Sequence, residues 1–496
     1  MTDRPAPTLM LQGTSSSVGK SFLIAGLCRL YARRGMRVAP FKSQNMALNA
    51  AVTPDGAEIG RAQAVQAEAA GVAAEAAMNP ILLKAERDHT CQVVVMGHSL
   101  GSFSAADYRR MRTRLWPQVE QSLHELRRRF DLVLIEGAGR PAEVNLRRGE
   151  IVNRRVAAAA ESPVVLVGDI DRGGIFAALL GTLMLLRPAE RRRVAGLVVN
   201  RFRGDLELFT DGVAFLEKRS RLPVLGVVPH VDVRLPAEDS LDLEGLASTG
   251  PRAVLDIAVV RLNRISNFDE LQPLAAEPGV GLRLVDDPSR LGRPDLVVLP
   301  GSKATADDLE RLRASGLADA IVTAAHSGSA VLGICGGYQM LGQRISDPAG
   351  VELPGDHAGL GLLTSEVTFE PAKVTARRRV RVLPGPGLLR RAAGLTADGY
   401  EIHMGRWQGE ERPVLEVDGR CDGSSSPDGW IVGTSVHGLL EDRRVRRAAL
   451  ESLADRKGVS LSPPPPVPPD PYDVLADALE RHLDIAALDR IVGLEA

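Results

Sequence analysis

From residue 7 to about residue 230, short aliphatic runs alternate with longer stretches of helical pattern. The runs are Thr8–Leu11, Arg37–Phe41, Gln92–Met96, Leu132–Ile135, Pro163–Val167, Val194–Val199 and Val224–Val228. Such runs suit strands buried on both faces, and the helical stretches suit crossovers. The pattern predicts an α/β domain with a doubly wound, mostly parallel sheet. Residues 234–252 are polar and bear Pro and Gly, which predicts a linker. A second alternating unit begins at Val254–Val260 and includes Leu296–Leu299 and Val331–Ile334. Between Gly361 and Val417 the patterns shorten, which predicts antiparallel strands. Pro463–Pro469 reads as a proline-rich hinge before a last helix pair. The predicted division is 1–235, a linker over 236–252, a second domain over 253–460, and the hinge with its C-terminal helices over 461–496.

A chain of 496 residues exceeds what one core supports. Its formal net charge of −1 gives no field for nucleic acid. The four cysteines lie far apart without a C-x-x-C pair, which argues against a disulfide framework or zinc site and suits a reducing cytoplasm. No signal peptide is expected, since Asp3, Arg4 and two prolines stand among the first residues. Ile175 to Leu186, the longest apolar stretch, is too short to span a bilayer, so no membrane partner is expected.

Leu9-Met10-Leu11-Gln12 leads into Gly13-Thr14-Ser15-Ser16-Ser17-Val18-Gly19-Lys20-Ser21 and then an apolar helix. This is the form of a phosphate-binding loop. Backbone N–H groups from Gly13, Thr14 and Gly19, together with Lys20, would meet phosphate oxygens, and the Ser21 hydroxyl could ligate Mg²⁺. Five residues, rather than four, separate Gly13 from Gly19. That spacing resembles the dethiobiotin-synthetase-like branch of the P-loop proteins. In such sheets ligands gather at the carboxyl ends of strands. Lys42, Glu136, Asp169, Asp171 and Asn200 all follow or end strand runs. Lys42 is a candidate for substrate or phosphate, Glu136 and Asp55 are candidate metal ligands beside Ser21, and Asn200 could bond an adenine edge. Each could equally be a cap or turn residue.

A different chemistry is written at Gly333-Ile334-Cys335-Gly336-Gly337-Tyr338-Gln339. The run Ser329–Leu332 reads as a buried strand and Tyr338–Leu341 as a helix start, so Cys335 stands at a strand-to-helix elbow. Flanking glycines permit the tight turn, and the exposed thiol at a helix start favours thiolate. A thiolate nucleophile needs an imidazole, which can be distant in sequence. His437, in Gly433-Thr434-Ser435-Val436-His437-Gly438, also sits at a strand end. The pair resembles the class I glutamine amidotransferases, in which cysteine and histidine release ammonia from glutamine. That family places Glu two residues after the histidine. This chain has Leu439 there, and the nearest acid is Glu441.

An ATP site joined to a glutaminase implies that ATP activates a carboxylate as an acyl phosphate, which ammonia then converts to an amide. Several longer blocks resemble one family, cobyric acid synthase. They are Phe41-Lys42-Ser43-Gln44-Asn45-Met46, Asn79–Lys84, Glu136–Gly139 with Glu143–Leu146, and Asp169–Phe176. Asn200–Asp205, Ile265–Phe268, Pro300–Lys303 and Tyr400–His403 complete the set. The resemblance implies a P-loop amide synthase domain followed by a class I glutamine amidotransferase-like domain. It implies ATP, Mg²⁺ and glutamine as reactants or cofactors, and a corrinoid substrate amidated at its b, d, e and g carboxylates. It assigns Cys335 as nucleophile, His437 as base, and backbone N–H groups near Gly301 and Gly336 as the oxyanion hole. Ser435 and Trp407 stand where the family usually has Tyr and Thr. Residues 40–60 and 79–92 are expected at the substrate mouth. The alternatives are a cobyrinic acid a,c-diamide synthase, or a P-loop ATPase with a binding-only second domain.

Overall fold

The computed structural model describes residues 5–87, 89–236, 243, 245–247, 253–409, 411–464, 466 and 468–494. Two parallel sheets organise the chain. In the first, the strand order is Val224–Pro229, Val194–Phe202, Val164–Asp169, Thr8–Gly13, Leu132–Glu136, Val38–Phe41, and every pairing is parallel. Alternate side chains feed two separate cores. Met10, Val133 and Ile135 join one, and Leu9, Leu11, Leu132 and Leu134 join the other. Helices must therefore cover both faces, as the unbroken aliphatic runs foretold. Helix α1 (Lys20–Arg33) and helix α2 (Arg61–Ala69) are the ones that matter below.

In the second sheet the order is Val280–Val285, Leu255–Val260, Leu296–Leu299, Ala330–Ile334, Ile431–Thr434, Ser424–Ser425. Its pairings are parallel except the last, which is antiparallel. The predicted antiparallel region is present, but its two principal strands are long. Glu366–Val382 pairs with Thr396–Gln408 across a register shift between Phe369 and Val374. The pattern looked short because that irregularity breaks the alternation.

One strand assignment is corrected. The run expected at Gln92–Met96 does not enter the first parallel sheet. Thr90–Val95 lies in a separate four-stranded sheet ordered Gln44–Met46, Ile81–Arg87, Thr90–Val95, His98–Ser104. Met96 and Gly97, both at positive φ (49° and 80°), close a two-residue hairpin that pairs Val95 with His98. A hairpin of that kind forces antiparallel neighbours, and an aliphatic run by itself does not say which sheet it joins.

The C-terminal helices do not form a unit of their own. Pro471–His482 packs on α1, with Leu475 and Leu479 in the same core as Leu23 and Leu27. Arg29 of α1 forms ion pairs with Asp470 and Asp473 at 3.0 and 2.8 Å. The chain thus returns to its first domain. Most of the expected linker, 236–252, and part of the proline-rich hinge lie outside the described residues.

Residues 40–60 and 79–92, expected at a substrate mouth, supply much of the contact between the domains. Ala47, Ala50, Val52, Leu82 and Val94 form a small apolar core with Tyr400 and Ile402. Beside it, buried Glu58 accepts from Lys84 Nζ at 2.8 Å and pairs with Lys373 of the second domain.

Candidate active sites

Gly13 ends the central strand of the first sheet, and Gly19 caps the start of α1. The loop between them is held from three sides. Thr14 N donates to Val167 O at 2.9 Å, and Asn200 Nδ2 donates to Val18 O at 2.8 Å. Lys20 is buried, with Nζ 3.1 Å from where a Cβ on Gly13 would sit. Asn200 therefore spends an amide proton on bracing the loop, a job that the sequence reading had not given it. Glu136, at the end of the neighbouring strand, gathers the rest. Its Oε1 accepts from Ser21 Oγ at 2.9 Å and pairs with Lys42 Nζ at 2.9 Å, while its Oε2 accepts from Gln66 Nε2 at 2.8 Å.

Ser21 and Lys42 thus meet on Glu136, while Lys20 and Asn200 lie against the loop itself. Asp55 does not join them. It lies in the turn between strands Ala50–Val52 and Glu58–Gly60, where its carboxylate accepts from Thr53 Oγ1. Gly56, beside it, faces the Thr375 carbonyl of the second domain. Asp169 and Asp171 also reach the sheet edge. Asp169 pairs with Arg201 at 3.0 Å and Asp171 with Arg203 at 2.8 Å.

Ser21 and Glu136 present the hard oxygens that Mg²⁺ prefers. No cluster of three or more His, Cys, Asp or Glu able to hold a metal occurs among the described residues. The two observations are compatible, since Mg²⁺ in nucleotide sites is held by one or two protein groups and by substrate phosphates.

The second site centres on Cys335, which links strand Ala330–Ile334 to helix Gly336–Leu341. Its backbone is at φ 51°, ψ −104°. A non-glycine residue holds such a conformation only when its surroundings enforce it. Here Cys335 N donates to Thr434 O at 2.8 Å, which locks the elbow to the strand leading to His437. Gly301 and Gly336 are required by close approach. A Cβ on Gly336 would lie 2.6 Å from Ser302 N, and one on Gly301 would lie 3.0 Å from His437 Cε1 and 2.9 Å from Ser266 O. The Gly301 segment thus closes on the imidazole and the Gly336 segment on Ser302, and the Cys335 thiol hydrogen-bonds His437.

The group that orients His437 comes from far upstream. His437 Nδ1 lies 2.8 Å from Glu270 Oε1, and Gly438 N donates to Glu270 Oε2 at 2.8 Å. Glu270 and His437 are both almost fully buried. Glu441, the nearest acid in sequence, turns away and pairs with Arg61 of the first domain at 2.9 Å. Burial alone would push His437 down. The charges of Glu270 and Cys335 and their hydrogen bonds outweigh it and hold the ring up at about 10. At neutral pH the ring is therefore a cation. The Tyr400 ring stacks on the imidazole with centroids 5.2 Å apart.

The sequence reading missed Glu270. The signal was present as an adjacent acidic pair, Asp269-Glu270, directly after the Ile265–Phe268 block and between apolar residues. The residues that depart from the family pattern are also accounted for. Ser435 Oγ donates to Asp422, and Trp407 stacks on Tyr338 at 5.4 Å. Both sit beside the elbow without replacing any member of the Cys335–His437–Glu270 set.

The comparisons agree with the two-domain layout. Residues 9–241 match the family described as CobQ/CobB/MinD/ParA nucleotide binding domain, and residues 256–445 match the CobB/CobQ-like glutamine amidotransferase domain. A cobyric acid synthase of Sorangium cellulosum is 51% identical over 99% of each chain. Those of Moorella thermoacetica and Yersinia enterocolitica are 47% and 45% identical, over 99% and 98% of this chain and 98% of their own. The chain belongs to the cobyric acid synthase family. The expected two-domain architecture, a P-loop domain with a parallel sheet followed by an amidotransferase domain, holds for this member. Among the described residues, no helix is long and apolar enough to cross a membrane.

Proposed function

We infer that this protein is a glutamine-hydrolysing, ATP-dependent amide ligase. It converts the b, d, e and g side-chain carboxylates of adenosylcobyrinic acid a,c-diamide to amides, giving cobyric acid. The observation that carries the reading is the pairing of the Cys335–His437–Glu270 set with the Lys20–Ser21–Glu136 phosphate site in one chain of this family.

In the second domain, the Cys335 thiolate attacks the side-chain amide carbon of glutamine. N–H groups near Gly301 and Gly336 face the oxyanion. His437, held by Glu270, gives its proton to the departing nitrogen, and ammonia leaves. Water then attacks the thioester, with His437 as base, and releases glutamate and the thiol. In the first domain, a corrinoid carboxylate oxygen attacks the γ-phosphorus of ATP and ADP departs. Ammonia then attacks the acyl carbon and phosphate leaves, so one ATP and one glutamine are consumed per amide. Lys20 and the loop N–H groups hold the phosphates, and Lys42 stands ready to offset charge on the transferred group. Mg²⁺, held by Ser21 and Glu136, would neutralise phosphate charge there. Reactions of this kind suit a cytoplasmic setting.

The test is to incubate the protein with ATP, Mg²⁺, glutamine and the a,c-diamide and to follow masses over time. Each amidation exchanges a hydroxyl for an amino group and lowers the mass by about one unit. A ladder of partial amides ending in one stable product is expected. Consumption of unamidated cobyrinic acid alone, stopping at its a,c-diamide, would overturn the assignment.

A further inference from the structure

Helix α2 touches both sites. At its first residue, Arg61 Nε lies 2.6 Å from Asp269 Oδ2, and Arg61 Nη2 lies 2.9 Å from Glu441 Oε1. Further along the same helix, Gln66 Nε2 donates to Glu136 Oε2 at 2.8 Å and to Ser21 O at 3.3 Å. Five steps along the helix separate these contacts, about 7.5 Å at 1.5 Å per residue. One short rigid element therefore binds the glutaminase side with one end and the phosphate side with its middle.

On the glutaminase side, the segment 267–270 divides its side chains between two tasks. Asn267 Oδ1 accepts from Ala50 N at 3.0 Å and Asp269 meets Arg61, so both face the first domain. Glu270 holds His437 Nδ1, and Asn267 Nδ2 lies 3.3 Å from His437 Nε2. Both ring nitrogens of the base thus have neighbours on a segment anchored to the other domain. The Arg61–Asp269 contact is a charge pair rather than an aligned hydrogen bond, and among the described residues no side chain donates an aligned hydrogen bond to either Asp269 oxygen. Asp269 is buried, so its charge depends on Arg61. Breaking such a pair on one side leaves an uncompensated charge next to Glu270.

We propose that Arg61 and Gln66 are positioning residues through which occupancy of the phosphate site sets the rate of glutamine hydrolysis. Glu136 cannot turn toward a metal or phosphate-bound ligand without disturbing the Gln66 bond. A shift of α2 at Gln66 is carried to Arg61, then to Asp269 and the adjoining Glu270, which sets the orientation of His437. Occupancy at one site then has differential contacts with two arrangements of the other, which coupling requires. This inference rests on the two site assignments made above.

The experiment uses the full-length protein and measures glutamate released from glutamine, with and without a non-hydrolysable ATP analogue and Mg²⁺. In the wild type the two rates should differ by roughly fivefold or more. In Gln66→Leu the ratio should fall toward one. In Arg61→Ala, kcat for glutamine hydrolysis should fall about tenfold or more with KM for glutamine little changed, and ammonia-dependent amidation should persist. Arg61→Lys should restore part of kcat. A wild-type ratio of one, a wild-type ratio retained in Gln66→Leu, or an unaltered kcat in Arg61→Ala would each overturn the proposal. Loss of both nitrogen sources in Arg61→Ala would count against it as well, and the Gln66→Leu ratio decides independently of that variant's folding. A wild-type protein that makes amides from ammonia yet releases no glutamate would instead overturn the Cys335–His437 assignment.

Discussion

The two sites are built in opposite ways. The phosphate site is nearly continuous in the chain: Gly13 to Ser21 supplies its loop, its lysine and its hydroxyl, and neighbouring strand ends add Glu136 and Asn200. The glutaminase site is assembled from distant pieces. Glu270, Gly301, Cys335, Tyr400 and His437 come from five segments, and the segment carrying Glu270 is itself anchored by Arg61 and Ala50 of the other domain. A site made by one local motif survives changes elsewhere. A site made by convergence depends on the whole interface that brings its parts together.

The largest expected effects separate the two. Lys20→Ala should cut amide formation from glutamine and from ammonia alike, by about 10²–10³-fold or more, because phosphoryl transfer precedes either nitrogen. Cys335→Ala should abolish use of glutamine and spare use of ammonia. Product assayed with each nitrogen source checks both, and equal loss with ammonium in Cys335→Ala would break the two-site picture.

Glu270→Gln comes next. An amide cannot hold the imidazolium or fix its tautomer, so glutamine hydrolysis should fall on the order of 10³–10⁴-fold, with ammonia-dependent synthesis retained. The alkaline limb of the glutaminase pH profile should also move down, since Glu270 is one of the groups holding His437 up at about 10. If Glu441→Gln were the more damaging change, the orienting acid would have been misassigned.

The smallest effect tests the interface itself. Glu58 is buried between Lys84 and Lys373. Burial would raise its carboxyl, but the two lysines overcome that and hold it at about 2 against an ordinary 4.5. A folded value below the unfolded one stabilises the fold fully above pH 4.5, and that contribution is lost as pH falls toward 2. Glu58→Gln would strand two buried cations and should cost about 3–5 kcal/mol near neutrality in denaturant unfolding. The gap from wild type should close between about pH 4.5 and pH 2. A gap that stays constant down that range would show that the charge of Glu58 is not what secures the domains.

Cys335, His437 and the loop from Gly13 to Ser21 were legible in the chain because each announces itself locally, by glycines at an elbow or by a strand, loop and helix in fixed order. The six strands of the first sheet were legible for a similar reason, since strands covered on both faces must be aliphatic throughout. Thr90–Val95 was misplaced because its composition suits either sheet, and only the Met96-Gly97 turn selects the antiparallel one. Asp55 was drawn into the metal site although its turn lies against the second domain.

What the spacing along the chain did not single out is the partner of His437. Glu270 stands 167 residues away from it, and Glu441 was the nearer acid. Hydrogen bonding at 2.8 Å depends on distance in space, and that distance is set by how two sheets, an inserted antiparallel sheet and α2 pack together. Local chemistry therefore marked Cys335, His437 and the Gly13–Ser21 loop as candidates for nucleophile, base and phosphate binding. Tertiary packing alone chose the acid that orients the base, and placed Arg61 and Gln66 of one helix between the two sites.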